Sequence, residues 1–218
     1  MLPLSLVLLK AMYVTGASYT YQVVLDYKAI DGTDETILER ETTFTVGKSA
    51  GQGLTEVSGK SRLLKVTMNG QVLSDGDVQE ASEWTEKRAA NGQVYENPFD
   101  KTFPVLLARQ SRPLVVRFPG TKVENGQKWT FSVPEDPESG LSSAQWDWTL
   151  DGSDEKTASI TIGFHERDVA PAISGEGTAT FDLADGWLRR LDMTLGPTLV
   201  PGDEERVPVQ LHVVWTRK

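Results

Sequence analysis

Seven Asn-Gly or Asp-Gly pairs interrupt this chain of 218 residues, at Asp31-Gly32, Asn69-Gly70, Asp75-Gly76, Asn91-Gly92, Asn125-Gly126, Asp151-Gly152 and Asp185-Gly186. At the centre of a type I′ turn both residues take positive φ, which Asn, Asp and Gly tolerate best. The twist of that turn matches the two strands it joins. Alternating apolar and polar residues flank several of the pairs, the strongest short-range pattern for a β-hairpin. Antiparallel strands in meander order are therefore expected.

Between Ser18 and Tyr27 the residues Tyr19, Tyr21, Val23, Leu25 and Tyr27 fall on one face at period two, which defines a strand. The turn at Asp31-Gly32 leads into a return strand from Thr36 to Val46, rich in β-branched residues. Gly47 to Gly53 reads as a small-residue loop. A second pair runs from Leu54 to Thr67 and across Asn69-Gly70 into Val72 and Leu73. Asp77 to Ala90 is open to two readings, a helix capped by Asp77 and Glu80 or an edge hairpin turning at Asn91-Gly92, with the hairpin favoured by a weak apolar stripe. A short helix is expected from Thr102 to Gln110, with Pro104 in its first turn and Phe103, Leu106 and Leu107 along one side.

Pro113 and Pro119 bracket a short predicted strand, Leu114 to Phe118. Further strands are read at Gln127–Val133, Gln145–Leu150, Lys156–Phe164, Gly175–Leu183, Trp187–Leu195 and Val207–Trp215, with a polar loop at Pro134–Gly140. Asp31-Gly-Thr-Asp-Glu35 and Asp151-Gly-Ser-Asp-Glu155 echo each other, and both read as hairpin tips. No linker divides the chain. The expected fold is mainly β, a single curved antiparallel sheet or partly closed barrel of roughly ten to twelve strands with one or two short helices, since a wide sheet must curl or be covered to protect its edges.

Residues 1–9 are almost uniformly apolar and precede Lys10, and the small residues Gly16, Ala17 and Ser18 follow. Residues 1–17 thus resemble the tail of a secretory signal, or else a first strand or docked terminal segment, ahead of a single β domain at 18–218. The apolar run is too short to span a membrane. An extracytoplasmic location, periplasmic or secreted, is expected. The net charge of −9 disfavours nucleic acid, which needs a concentrated basic face. With no cysteine, disulfides, thiolate nucleophiles, thiolate metal sites and a lipidated-cysteine anchor are all excluded.

Catalytic patterns are missing. The chain holds two histidines, His165 and His212, without a Gly-x-Ser-x-Gly or His-Glu-x-x-His context. His165 and Glu166 are strand neighbours and point to opposite faces. The acidic clusters, among them Asp34-Glu35, Asp154-Glu155 and Asp203-Glu204-Glu205, sit in predicted turns, and none has calcium-loop spacing. No catalytic residue, metal ligand or cofactor is assigned, and the chain reads as a non-enzyme. The aromatic residues are more informative. Trp146 and Trp148 share one strand face with Leu150, as Tyr19, Tyr21 and Tyr27 do on theirs. Such rows fill an ordinary core, line an apolar cavity, or stack on sugar rings when exposed.

The run Pro119-Gly-Thr-Lys-Val-Glu-Asn-Gly-Gln-Lys-Trp129, with its Val-x-x-Gly-x-x-Trp core, and the hairpin Gly175-x-Gly177-x-x-x-Phe181-Asp182-x-x-x-Gly186-x-Leu188 together resemble uncharacterised exported bacterial β proteins. That resemblance implies a half-barrel like the lipoprotein carriers, a curved antiparallel sheet wrapped around a helix. It transfers no functional residues. The leading expectation is a protein that holds an apolar, lipid-like molecule on its concave face against Tyr19, Tyr21, Trp146 and Trp148. The alternatives are a carbohydrate- or surface-binding module and a purely structural or protein-interaction domain, with no protein partner identified.

Overall fold

The computed structural model describes residues 6–76, 81–95, 105–200 and 207–218. Its strands are β1 (Val7–Leu8), β2 (Ser18–Ala29), β3 (Glu35–Gly51), β4 (Leu54–Met68), β5 (Gln71–Asp75), β6 (Ser82–Ala89), β7 (Val94–Tyr95), β8 (Lys122–Val123), β9 (Lys128–Val133), β10 (Ala144–Ser153), β11 (Thr157–Glu166), β12 (Ser174–Asp182), β13 (Leu188–Leu199) and β14 (Pro208–Arg217). One α-helix, α1 (Val105–Ser111), runs into a 3₁₀ turn at Arg112–Leu114. Twelve strands form one antiparallel sheet in the order β7-β6-β4-β3-β2-β14-β13-β12-β11-β10-β9, with β5 also paired to β4, while β1 and β8 form a separate pair. The fold is therefore mainly β, as the turn pattern implies. The sheet is not closed into a barrel.

Neighbours in the sheet are neighbours in sequence, except that β6 pairs with β4 past β5 and β14 pairs with β2. The meander thus begins and ends in the middle of the sheet, and its edges are β7 and β9. Those edges approach each other. Trp129 Nε1–H on β9 donates to the Arg117 carbonyl at 2.9 Å, and the next residue, Phe118, donates its N–H to the Asn91 carbonyl beside β7 at 2.8 Å. The segment before β8 therefore lies in the gap left by the curled sheet. Residues 7–13 fill the same gap, through β1 against β8 and through Ala11 N–H to the Ala90 carbonyl at 2.9 Å.

Alternation along the strands puts one face of the sheet in the interior. β10 reads buried at Ala144, Trp146, Trp148 and Leu150, and β11 at Ala158, Ile160, Ile162 and Phe164. These residues, with Leu9, Phe118 and Val123 from the gap-filling segments, form the larger core cluster. A smaller cluster, Tyr21, Val23, Phe44, Val46, Val57 and Trp187, lies under β2, β3 and β4.

Helix α1 rests on the sheet through polar groups. The Gln110 amide donates to Thr198 Oγ1 at 2.9 Å and to the Leu199 carbonyl at 2.7 Å, and Gln110 accepts from the Tyr27 hydroxyl at 3.3 Å. Arg109 pairs with Glu166, whose side chain is fully buried and also accepts the Ile173 N–H at 2.9 Å. Ala108 and Gln110, rather than Leu106 and Leu107, are the buried positions of the helix. Phe103 and Pro104 lie outside the described residues.

The Gly47–Gly53 stretch is strand through Gly51, and the reversal is Gln52-Gly53, with φ of 52° and 75°. Small residues there allow register shifts that keep β3 paired to β4 to its end. Asp151-Gly152 is not a hairpin tip. It falls at a bulge inside β10, and the turn is made by Asp154, whose carboxylate accepts the N–H groups of Lys156 and Thr157 at 2.7 and 2.6 Å. The Leu114–Phe118 strand bracketed by Pro113 and Pro119 is absent: Leu114, Val116 and Phe118 pack into the core, with no ladder partner. For 77–90, the hairpin reading holds over β6 and β7, while Asp77–Glu80 lie outside the described residues.

Candidate functional site

Tyr19 and Tyr21 project from β2, Trp146 and Trp148 from β10, and the fold does not bring the four together. Tyr21 is 1% exposed and donates its hydroxyl to the Leu188 carbonyl at 2.9 Å. Tyr19 is half-buried and stacks on Trp187 at 4.2 Å between ring centroids. Trp146 and Trp148 are 5% and 1% exposed and belong to the larger cluster, packed on each other at 6.5 Å and on Phe131, Phe164 and Trp129. Trp146 and Trp148 are buried side chains of the larger core cluster.

The apolar cavity lies elsewhere, between the smaller cluster and the gap-filling segment. Its volume is about 230 Å³. Aromatic side chains dominate its lining, among them Tyr13, Tyr21, Phe44, Trp84, Trp187 and Trp215. Phe44 is the hub, 6.0 Å from Tyr21, 5.9 Å from Trp84 and 6.1 Å from both Trp187 and Trp215. Val116 and Phe118 bound the opposite side. Edge-to-face and offset contacts at these separations are the favourable arrangements for aromatic quadrupoles.

Local sequence explains how the rings converge. Trp84, Glu86 and Arg88 alternate along β6, so the pleat turns all three to the interior. Trp84 lies opposite Gly59 on β4, and a Cβ at Gly59 would sit 2.2 Å from the indole. Only glycine leaves that space. Gly186, with φ of 70°, performs a second such service: a Cβ there would fall 1.8 Å from the Lys10 carbonyl, so its absence lets residues 10–13 cross the β12–β13 turn and deliver Tyr13 to the wall.

Two charged residues line the cavity. Arg88 donates to Glu86, itself 5% exposed, and the guanidinium lies 5.0 Å from the Phe44 centroid and 5.6 Å from that of Trp187. Cation–π attraction thus supplements the ion pair. Burial pushes the Tyr21 hydroxyl well above the ordinary phenol range and lifts Tyr13 to about 12, so both remain neutral donors. The Tyr13 hydroxyl donates to the Ala89 carbonyl at 3.1 Å. These groups hold shape and polarity. None is an activated nucleophile paired with a base.

His165 is exposed while Glu166 is buried, and His212 contacts Asp192 at 2.8 Å on the outer side of the sheet. Among the described residues no three His, Asp or Glu side chains converge as metal ligands. Another depression, of about 840 Å³, is bordered by Phe164, Gly175 and Gly196.

Sequence reading reached only Tyr21 among the cavity aromatics. Phe44 looked like one residue of a threonine-rich strand, and Trp84 fell in the segment open to two readings. The available signal was the inward phase of Trp84-x-Glu86-x-Arg88 opposite Gly59, which depends on knowing that β4 and β6 pair.

No protein-family model matches the chain, and no curated protein does. Among solved structures the chain is similar to a protein of Parabacteroides distasonis described as a "putative lipoprotein", at 14% identity, with 95% of this chain and 99% of that one covered and a TM-score of 0.31. A likeness of that size has no bearing on function.

Proposed function

We propose that this chain is a non-enzymatic, exported binding protein that takes a small apolar molecule into the aromatic cavity behind Val116 and Phe118. The observation that supports this is the convergence of aromatic side chains from β2, β3, β6, β12, β14, the β12–β13 turn and the N-terminal and gap-filling segments on one space of about 230 Å³. Ordinary core aromatics close-pack and leave few voids larger than a water molecule. A dry cavity of about 150 Å³ already accepts benzene, so this one fits a bicyclic ring or a short branched chain rather than a full acyl chain. The extracytoplasmic location rests on the apolar run before Lys10, and the proposal takes that run to stay with the domain, because residues 7–13 pack into the fold and carry Tyr13 to the cavity wall. Among the described residues no helix is long and apolar enough to cross a membrane.

A carbohydrate-binding row would need Trp146 and Trp148 open to solvent, and both are buried. The test is thermal unfolding with naphthalene, in the native chain and in Val116→Phe and Ala11→Leu, which place added carbon at the cavity wall. Saturating naphthalene is expected to raise the native melting temperature and to leave both filled variants unmoved. Equal stabilisation of all three would contradict the assignment.

A further inference from the structure

The polar groups at the cavity wall are not equivalent, and one of them is open to an occupant. The Tyr13 and Tyr21 hydroxyls are already bonded to the Ala89 and Leu188 carbonyls. The indole N–H groups of Trp187 and Trp215 lack an acceptor, but both nitrogens are closed off and reach nothing in the cavity. Glu86 differs from all four. Arg88 meets its carboxylate through Nε and Nη2, and both contacts fall on one oxygen, Oε1. The second oxygen, Oε2, accepts no hydrogen bond among the described residues, yet it is not one of the buried, closed-off atoms. The pleat of β6 turns Glu86 inward, the residue is only 5% exposed, and it borders the cavity, so its open oxygen faces that space.

An arginine-paired carboxylate oxygen can only accept. A ketone or ether oxygen set against it would oppose lone pair to lone pair. A hydrocarbon would strip water from a charged acceptor and leave it without a partner. A proton donor satisfies it. Charge then separates neutral donors from ionic ones. Glu86 is already balanced by Arg88, whose guanidinium lies 5.0 Å from the Phe44 centroid and 5.6 Å from that of Trp187. An ammonium ligand would enter beside that cation and find those two rings already engaged by it. A carboxylate ligand would be repelled by Glu86 itself.

On the reading of this cavity as a binding site, we infer that its ligand is a neutral molecule of about ten to twelve non-hydrogen atoms bearing one hydroxyl or ring N–H, a size scaled from the benzene-sized cavity. Its apolar body lies against Phe44, Trp84, Trp187 and Trp215, and its proton is donated to Glu86 Oε2. Bicyclic alcohols, phenols and indoles meet the description.

Five probes built on a bicyclic ring separate these cases at pH 7: naphthalene, quinoline, 2-naphthol, 2-naphthoate and 2-naphthylmethylammonium, with affinities read by saturation-transfer NMR titration on the full chain. Naphthol is expected to bind roughly tenfold or more tightly than naphthalene, the yield of one hydrogen bond to a charged acceptor. Quinoline, which only accepts, should bind no better than naphthalene, and both ions should bind more weakly than naphthol. The naphthol-to-naphthalene ratio should fall toward one in the double variant Glu86→Leu with Arg88→Met. It should stay within about twofold of native in Tyr13→Phe, which removes a hydroxyl already bonded to Ala89. Equal binding of naphthol and naphthalene, or quinoline matching naphthol, would overturn the donor while leaving the apolar cavity intact. Tightest binding by either ion would overturn the neutrality, and a ratio kept in the double variant would overturn Glu86 as the acceptor. Failure of all five probes would remove the binding site itself. The comparison of probes on the native chain decides the matter even if a variant does not fold.

Discussion

Glu86 and Arg88 stand two residues apart on β6, so the strand pleat commits both charges to the interior together. Burial of a pair costs little net energy only while both members remain. Glu86→Gln is expected to cost about 3 kcal/mol, because it leaves Arg88 facing Phe44 and Trp187 without its carboxylate. The double variant Glu86→Leu with Arg88→Met should cost less than that single change, as chemical denaturation can show. A larger loss in the double variant would mean that the pair does more than balance charge. Asp182 gives a pH prediction at the same scale. Hydrogen bonding from Arg189, then from the Ala184 N–H, holds its carboxyl below the usual carboxylate range. A carboxyl lowered by folding stabilises the native state above its unfolded value and loses that contribution as pH falls through the folded one. Native protein should therefore lose stability below about pH 4, and Asp182→Asn should flatten that acid limb in urea midpoints measured at several pH values. An unchanged limb would assign acid sensitivity to other carboxylates.

At the scale of the element, turn chemistry explains both the agreement and the misreadings. Asn69-Gly70, with φ of 48° and 77°, is the expected type I′ reversal between β4 and β5. At Asp151-Gly152 the same dipeptide is only a bulge, because Asp154 three residues later captures two N–H groups and sets the tip there. Asp154→Ala should therefore destabilise the β10–β11 hairpin by about 1 kcal/mol, and Asp151→Ala by less, in equilibrium unfolding. Period-two patterning locates strand faces well, since it reports burial of one side. Prolines bracketing an apolar run do not report whether a ladder partner exists, which is why Leu114–Phe118, between Pro113 and Pro119, reads as a strand and yet crosses the gap without a ladder. The cavity was illegible for a related reason. Its walls come from strands far apart in sequence, and only the β4–β6 register reveals that Gly59 makes room for Trp84. Gly59→Ala should accordingly lower stability and shift the tryptophan emission.

For the whole molecule, the consequence of starting the meander in its middle is that its first and last strands, β2 and β14, are central, while the edges β7 and β9 must be protected by other means. Residues 7–13 and 115–123 provide that protection, and in doing so they wall off the cavity. Leu9 is fully buried in the larger cluster, so Leu9→Ala is expected to cost about 2–5 kcal/mol, and cleavage near Gly16–Ser18 would remove that anchor together with Tyr13. Intact mass of the protein isolated from its native cells tells whether those residues stay with the domain. The most direct measurement is the set of intermolecular NOEs from bound naphthalene to tryptophan indole protons. Contacts to Trp84, Trp187 and Trp215, with none to Trp146 or Trp148, are the expected result. Contacts confined to Trp146 and Trp148, or none at all under saturating probe, would contradict the cavity as the seat of function.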